Sequence, residues 1–268
     1  VRLAVVGDPV DHSLSPAIHN AALRTLGIEG SYVGHRVDAT GMVDVVRDLL
    51  GGVLDGVNVT MPHKRLAARL VTRLAAEARR TDAVNALTRV GDEAVGHNTD
   101  VAGMVEAWGR AGLPVDRPVM VLGSGGAAAA ALMALEMIGA GPIGVVARSA
   151  SSAHDLIDRL GVDSSVQPFG GTGFDGAVIV NATPLGMRGE LLPVPLEEVA
   201  GLFDMAYGTE PTPAVAAAVA SAIPVADGVS MLLGQAAQSF RLWTGRPAPL
   251  DAMRAAVEVE LARRRGEG

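Results

Sequence analysis

"PVMVLGSGGAAAAALMALEMIGAG", Pro118 to Gly141, holds three textures in twenty-four residues. Val119 to Leu122 is a continuous apolar run of strand length. Gly123 to Gly126 is a glycine-rich turn. Ala127 onward is a run of strong helix formers ending at Gly139. A fully apolar strand needs cover on both faces, which parallel sheets flanked by helices provide. Glycines between strand and helix let backbone N–H groups approach a pyrophosphate, and the helix start adds positive potential. The same turn also serves simply to pack helix on strand, so its context decides.

The surrounding chain supplies that context. "IGVVARS", Ile143 to Ser149, is a second apolar strand about twenty residues on, followed by a helix near Ser152 to Leu160. "GAVIVNATPLG", "LFDMAY" and "IPVADG" are three more apolar runs, each ending in polar residues. The pattern predicts a doubly wound dinucleotide-binding domain over residues 102–229. An NAD site would end the second strand in Asp or Glu; here Arg148 and Ser149 stand there, suited to a 2′-phosphate. One charge-assisted hydrogen bond is worth about 1.5–3 kcal/mol, so Arg148 could favour NADP by roughly ten- to a hundredfold.

Residues 1–101 read differently. Strand runs "RLAVVG", "SYVGHRV" and "DGVNVT" alternate with helices at about Ser15–Leu26, Met42–Leu50 and after Pro62. "AVNALTRV" and "EAVGHN" then follow, joined by Gly91-Asp92, a hairpin signal that makes the sheet mixed. A helix from Val101 to Gly112 connects the two blocks. Residues 230–268 read as two helices interrupted by "TGRPAP" and are expected to pack back on the first block, giving a discontinuous domain of 1–101 plus 230–268. The fold class is α/β with two domains.

Bulk properties narrow the function. The chain has 268 residues, 49% of them hydrophobic, which is ample for a buried core. Its net charge of −7 argues against a nucleic-acid partner. Cysteine is absent, which removes disulfides, thiolate metal sites and a cysteine nucleophile. None of the six histidines has metal-ligand spacing, so no metal is expected. They read as packing, capping or surface residues, with His63 and His97 flanking the polar strand ends. The longest apolar windows are too short to span a bilayer, and the N-terminus lacks a signal pattern, so a cytoplasmic location is expected.

Four polar groupings carry the chemistry. "NVTMPHK", Asn58 to Lys64, puts an ammonium just after a strand. "DPVDHSLSPAIHN" puts Ser13 and Ser15 at a helix start, where they can hold a carboxylate or simply cap the helix. "GHNTDVAG" sets Asn98 and Asp100 before another helix, again as ligands or as a cap. "DAVNAL" places Asn85 among apolar residues, where its amide needs partners.

"GDPVDHSLSPAIHN", "NVTMPHK", "AVN", "GHNTD", "GSGGAAAA", "NATPLGM", "DMAY" and "MLLGQAA", in this order from residue 7 to about 237, resemble the motifs of shikimate dehydrogenases. The resemblance implies reversible oxidation of the shikimate C3 hydroxyl to 3-dehydroshikimate with NADP, in aromatic amino-acid biosynthesis. It implies Lys64 and Asp100 as the catalytic pair and Ser13 and Ser15 as carboxylate ligands. Thr60, Asn85 and Gln235 resemble ligands of the carboxylate and ring hydroxyls, with Tyr207 near the carboxylate. Gly123, Gly125, Gly126 and Ala127 resemble the pyrophosphate loop, and Thr183 and Met205 fall beside the nicotinamide half. Internal hydrogen bonding is the competing role for Thr60, Asn85 and Gln235.

Two departures stand out: the family often has Gly-Ala-Val-Asn-Thr where this chain has Asp82-Ala83-Val84-Asn85-Ala86, and Asn-Arg-Thr where it has Ala147-Arg148-Ser149. A relative acting on quinate or aminoshikimate, with NAD, is the nearest alternative. A protein that senses NADP without catalysis is the alternative of another class.

Overall fold

Strand-length apolar runs bounded by polar or glycine residues build two six-stranded sheets. The computed structural model describes residues 1–168 and 174–266. The chain forms two compact units, Val1–Thr99 with Gln235–Gly268 and Asp100–Gly234.

In the first unit the order is β1 (Arg2–Gly7), α1 (Ser15–Thr25), β2 (Ser31–Arg36), α2 (Gly41–Leu50), β3 (Gly56–Val59), α3 (Lys64–Leu70), β4 (Arg73–Leu74), α4 (Ala76–Thr81), β5 (Ala86–Val90) and β6 (Glu93–His97). The sheet runs β2-β1-β3-β5-β6-β4. β1 is parallel to β2 and β3, whereas β5 is antiparallel to β3 and to β6, so the sheet is mixed. The hairpin turns at Gly91-Asp92, with Val90 opposite Glu93. Gly91 takes φ +60° at the first central position, where a type II′ turn calls for glycine. α2 buries Met42, Val45, Val46 and Leu49, one face at helical spacing, onto Val57, Val59 and Leu87 of the sheet. Each such side chain contributes about 1.5–3 kcal/mol by leaving water.

The second unit begins within α5 (Thr99–Ala111) and continues with β7 (Val119–Leu122), α6 (Gly126–Ile138), β8 (Ile143–Val146), α7 (Ala150–Leu160), β9 (Ser165–Gln167), β10 (Val178–Asn181), β11 (Gly201–Asp204), α8 (Pro213–Ala220), β12 (Val225–Ala226) and the start of α9 (Gly228–Thr244). Its sheet is wholly parallel in the order β12-β11-β10-β7-β8-β9. The order reverses between β7 and β10, the switch point at which doubly wound sheets bind ligands. Residues Ala128 to Leu135 of α6 are all buried, as befits a helix apolar on every side.

The C-terminal helices return to the first unit. α10 (Leu250–Arg265) packs along α1 through Met253 and Val257. From α9, Trp243 Nε1 donates to the Leu87 carbonyl at 2.9 Å, and the Trp243 and Phe240 rings lie 5.3 and 6.3 Å from His19. Among the described residues no helix is long and apolar enough to cross a membrane, and no cluster of three or more His, Cys, Asp or Glu could hold a metal ion.

Candidate active site

Polar side chains of the first unit concentrate where its strands end. Thr60 closes β3, and its N–H continues the ladder to the Val6 carbonyl at 2.9 Å. Lys64 is the first residue of α3, partly exposed. Its carbonyl accepts from Val84 N at 2.9 Å, which ties the start of α3 to the segment carrying Asn85. His63, one residue earlier, is buried with Nε2 against the Val37 carbonyl at 2.8 Å. His97 meets Thr88 Oγ1 at 3.0 Å. Both histidines serve structural partners.

Ser13 Oγ accepts from Ser15 N at 3.2 Å, a local turn just before α1, whose N-cap position is Leu14 and carries no side-chain cap. The Ser13 backbone carbonyl and that of His12 accept from the Arg264 guanidinium, at 3.2 and 2.7 Å. Arg264 also meets Glu260 at 2.8 Å. Hydrogen bonds from Arg263 and Arg264 hold the Glu260 carboxyl down at about 2. Ser15 is buried, and the Tyr32 phenol donates to Asn58 Oδ1 at 2.7 Å. That phenol is pushed well above its ordinary value by burial.

Asn85, in the turn before β5, is 3% exposed. Its Oδ1 accepts from Thr99 N at 2.7 Å and from Thr99 Oγ1 at 3.1 Å, and Thr99 Oγ1 lies 3.5 Å from Gln235 Oε1. Asn85 and Gln235 are thus joined through Thr99. Asp100 follows inside the first turn of α5, where its charge complements the helix dipole; it is not the capping residue, since the helix already begins at Thr99.

In the second unit Gly123 ends β7 with φ +115°, and a Cβ there would meet the Ala182 carbonyl at 3.0 Å and Thr183 Cγ2 at 3.2 Å. Only glycine allows that approach. It brings the pyrophosphate-type loop beside Thr183. A Cβ on Gly125 or Gly126 would meet nothing within 4 Å, and no side chain caps α6. The helix start is therefore an open cradle of backbone, which fits a dinucleotide pyrophosphate. Ala127 follows in the first turn of α6. Arg148 and Ser149 lie exposed at the end of β8. Ser149 Oγ caps α7, accepting from Ser152 N at 3.2 Å. Arg148 takes part in no ion pair among the described residues, which suits a phosphate ligand.

Asn181 pins the ends of β10 and β11. Its Oδ1 accepts from Thr183 N and Oγ1 at 3.1 and 2.6 Å, and its Nδ2 donates to Asp204 Oδ1 at 2.8 Å. Asp204 also accepts from Ala206 N at 3.0 Å and Thr212 Oγ1 at 2.5 Å. Burial raises the Asp204 carboxyl even against these donors. Met205 and Tyr207 follow directly, both partly exposed.

Sequence reasoning passed over Tyr32, Asn58, Thr99, Ser239, Asn181, Asp204 and Thr212 as network members. One signal was available: a polar residue inside an apolar run, as in "GVNV", "VIVN" and "LFD".

Known proteins share both units. Residues 5–87 match the shikimate dehydrogenase substrate binding domain, and residues 228–258 the shikimate 5′-dehydrogenase C-terminal domain. A shikimate dehydrogenase (NADP(+)) from Citrifermentans bemidjiense is 34% identical, over 96% of this chain and 94% of its own. The crystal structure of shikimate 5-dehydrogenase from Thermus thermophilus, in complex with NADP(H) and shikimate, is 34% identical. It superposes with a TM-score of 0.88, covering 97% of this chain and 99% of its own. The shikimate dehydrogenase of Mycobacterium tuberculosis, also 34% identical, gives 0.84 over 96% and 99%. With these motifs, this fold and this extent of identity, the chain belongs to the shikimate dehydrogenase family.

Proposed function

We propose that this chain is an NADP-dependent shikimate dehydrogenase, a cytoplasmic enzyme of aromatic amino-acid biosynthesis that interconverts shikimate and 3-dehydroshikimate. The observation that carries the reading is the joining of Asn85 to Gln235 through Thr99, with Lys64 anchored to the neighbouring backbone.

Ser13 and Ser15 bind the substrate carboxylate through hydroxyls at the start of α1, with Tyr207 contributing at that end. Thr60, Asn85 and Gln235 bind the carboxylate and ring hydroxyls. Because Asn85 Oδ1 already accepts from Thr99 N and Oγ1, it does not serve a ligand as an acceptor. When bound, NADPH supplies the hydride that reduces the C3 carbonyl carbon. Lys64 gives a proton to the oxygen that gains negative charge and stabilises that charge as it grows. Asp100 orients the ammonium and accepts from the adjacent substrate hydroxyl. Gly123, Gly125, Gly126 and Ala127 hold the pyrophosphate, Arg148 and Ser149 the 2′-phosphate, and Thr183 and Met205 the nicotinamide half.

One observation favours looser cofactor choice. The Ser149 hydroxyl is occupied by Ser152 N, Ser152 Oγ and Ser151 Oγ, which leaves Arg148 as the principal discriminator against NAD. Absorbance at 340 nm with shikimate, quinate and aminoshikimate, each against NADP and NAD, tests both readings. The highest kcat/KM is expected for shikimate with NADP. NADP binding with no reduction by any of the three would leave a sensor.

A further inference from the structure

Asn181 is the last residue of β10, and its side-chain amide is fully spent on neighbours in the same unit. Its Oδ1 accepts from Thr183 N and Thr183 Oγ1 at 3.1 and 2.6 Å. Its Nδ2 protons go to the Leu185 carbonyl at 2.9 Å and to Asp204 Oδ1 at 2.8 Å. Its backbone carbonyl accepts from Met205 N at 3.0 Å. Thr183 and Met205, assigned above to the nicotinamide half, are thus both fastened to Asn181. Asp204 anchors the arrangement from the end of β11. Its Oδ1 also accepts from Ala206 N at 3.0 Å, and its Oδ2 accepts from Thr212 Oγ1 at 2.5 Å. Each hydroxyl proton is used once. Thr183 Oγ1 gives its proton to Asn181 and accepts from Leu185 N at 3.2 Å. Thr212 Oγ1 gives its proton to Asp204 and accepts from Val215 N at 3.2 Å. Asn181 and Asp204 are not exposed at all and Thr212 is 3% exposed, so they lie beneath the surface a ligand would touch. Thr212 also supports the turn after Thr183: Gly186 takes φ +98°, and a Cβ there would meet Thr212 Cβ at 3.0 Å.

We propose that Asn181, Asp204 and Thr212 are positioning residues for the nicotinamide half of the cofactor: Thr212 holds Asp204, Asp204 orients the Asn181 amide, and Asn181 sets Thr183 and Met205 relative to one another. The inference rests on the function proposed above. Its physical basis is that a buried polar chain is well ordered only when every member is paired. Removing one member leaves a donor or acceptor unmet in a dry interior, and the loop carrying Thr183 shifts to satisfy it. Arg148 and Ser149 stand at the end of β8, which β7 separates from β10 in the sheet. The two ends of the cofactor therefore rest on different strands, and disturbing Asn181 acts on one end only.

The experiment uses two ligands that differ only in the nicotinamide: NADP, and 2′-phospho-ADP-ribose, the same molecule without that ring. Their dissociation constants are measured by calorimetry on the full chain for wild type, Asn181→Ala, Thr212→Val and Thr212→Ser. Asn181→Ala should weaken NADP binding by about tenfold and 2′-phospho-ADP-ribose binding by less than about twofold. Thr212→Val keeps the shape and loses the hydroxyl; it should weaken NADP binding by about threefold and leave the other ligand unmoved. Thr212→Ser keeps the hydroxyl and should bind NADP as wild type does. Equal losses on the two ligands would mark a general structural role and overturn the proposal, as would unchanged NADP binding in Asn181→Ala. Should Asn181→Ala fail to fold, the Thr212 variants decide. A Thr212→Val protein that binds NADP as wild type does, or a Thr212→Ser protein that binds it no better than Thr212→Val, overturns the proposal equally. Binding is read without turnover, so the two failures are separate. Wild type that binds NADP without reducing it with shikimate refutes the functional reading, whereas the ratio of the two dissociation constants alone decides this inference.

Discussion

The Arg264 guanidinium, on the last helix, donates to the backbone carbonyls of His12 and Ser13 at 2.7 and 3.2 Å, across about 250 positions of chain. Two carbonyls in a loop are thereby fixed by one planar donor, itself held by Glu260. Arg264→Ala should raise the KM for shikimate by about tenfold, equivalent to about 1.4 kcal/mol, with the KM for NADP unchanged. Arg264→Lys should recover only part of this, because a single ammonium cannot span both carbonyls. Steady-state kinetics on the two variants decide it; an Arg264→Ala enzyme with wild-type KM would detach this clamp from substrate binding.

Lys64→Ala should lower kcat by about 10²–10⁴-fold and leave the dissociation constant for NADP, measured by calorimetry, within a factor of two or about that. Unaltered turnover would remove Lys64 from the proton-transfer role.

Arg148→Ala should reduce the preference for NADP over NAD by about tenfold. That is the lower end of the range for a charge-assisted bond, chosen because Arg148 is exposed and water competes for it. The ratio of kcat/KM for the two cofactors is the measurement. A constant ratio would assign the 2′-phosphate to other residues.

His19 is buried with neither ring nitrogen hydrogen-bonded, and burial lowers its pKa from 6.5 to about 3. The imidazole is neutral in the folded chain and takes up a proton on unfolding at any pH between those values. The unfolded state therefore binds more protons there, and stability rises with pH across the window. Its full contribution is present above pH 6.5 and is lost as the pH falls toward 3. Urea unfolding at pH 7 and pH 5 should show that His19→Leu removes up to about 1.4 kcal/mol of this dependence per pH unit. Identical pH slopes in both proteins would contradict the buried, unpaired assignment.

The parallel unit was legible because its strands are continuous apolar runs and its helices are long. The mixed sheet was legible through the Gly91-Asp92 turn. β4 and β9 were missed: at two and three residues they are too short to show a period. α4 has only six residues, and α8 is alanine-rich on every side, so neither shows an amphipathic stripe. The buried network escaped because its links are long, 26 positions from Tyr32 to Asn58 and 181 from Asn58 to Ser239.

Asp82, a departure from the family pattern, has a backbone explanation. It ends α4 with φ +53°, the left-handed conformation that glycine adopts freely and aspartate tolerates better than most residues. Arg65 lies 3.8 Å away at the surface. Ala86, the other departure, is fully buried in β5, and nothing in the structure explains the loss of a hydroxyl there.

The discontinuity of the first unit orders events at the ribosome. Its sheet is made first, yet Phe240 and Trp243, which cover His19, and Ser239, which accepts from Asn58 Nδ2, are translated near the end. The intervening unit is contiguous and can collapse as soon as it emerges. Nascent chains from which the residues after Gly234 have yet to emerge should therefore carry a finished nucleotide fold tethered to an unfinished, sticky N-terminal half. Chaperone demand would concentrate in that interval.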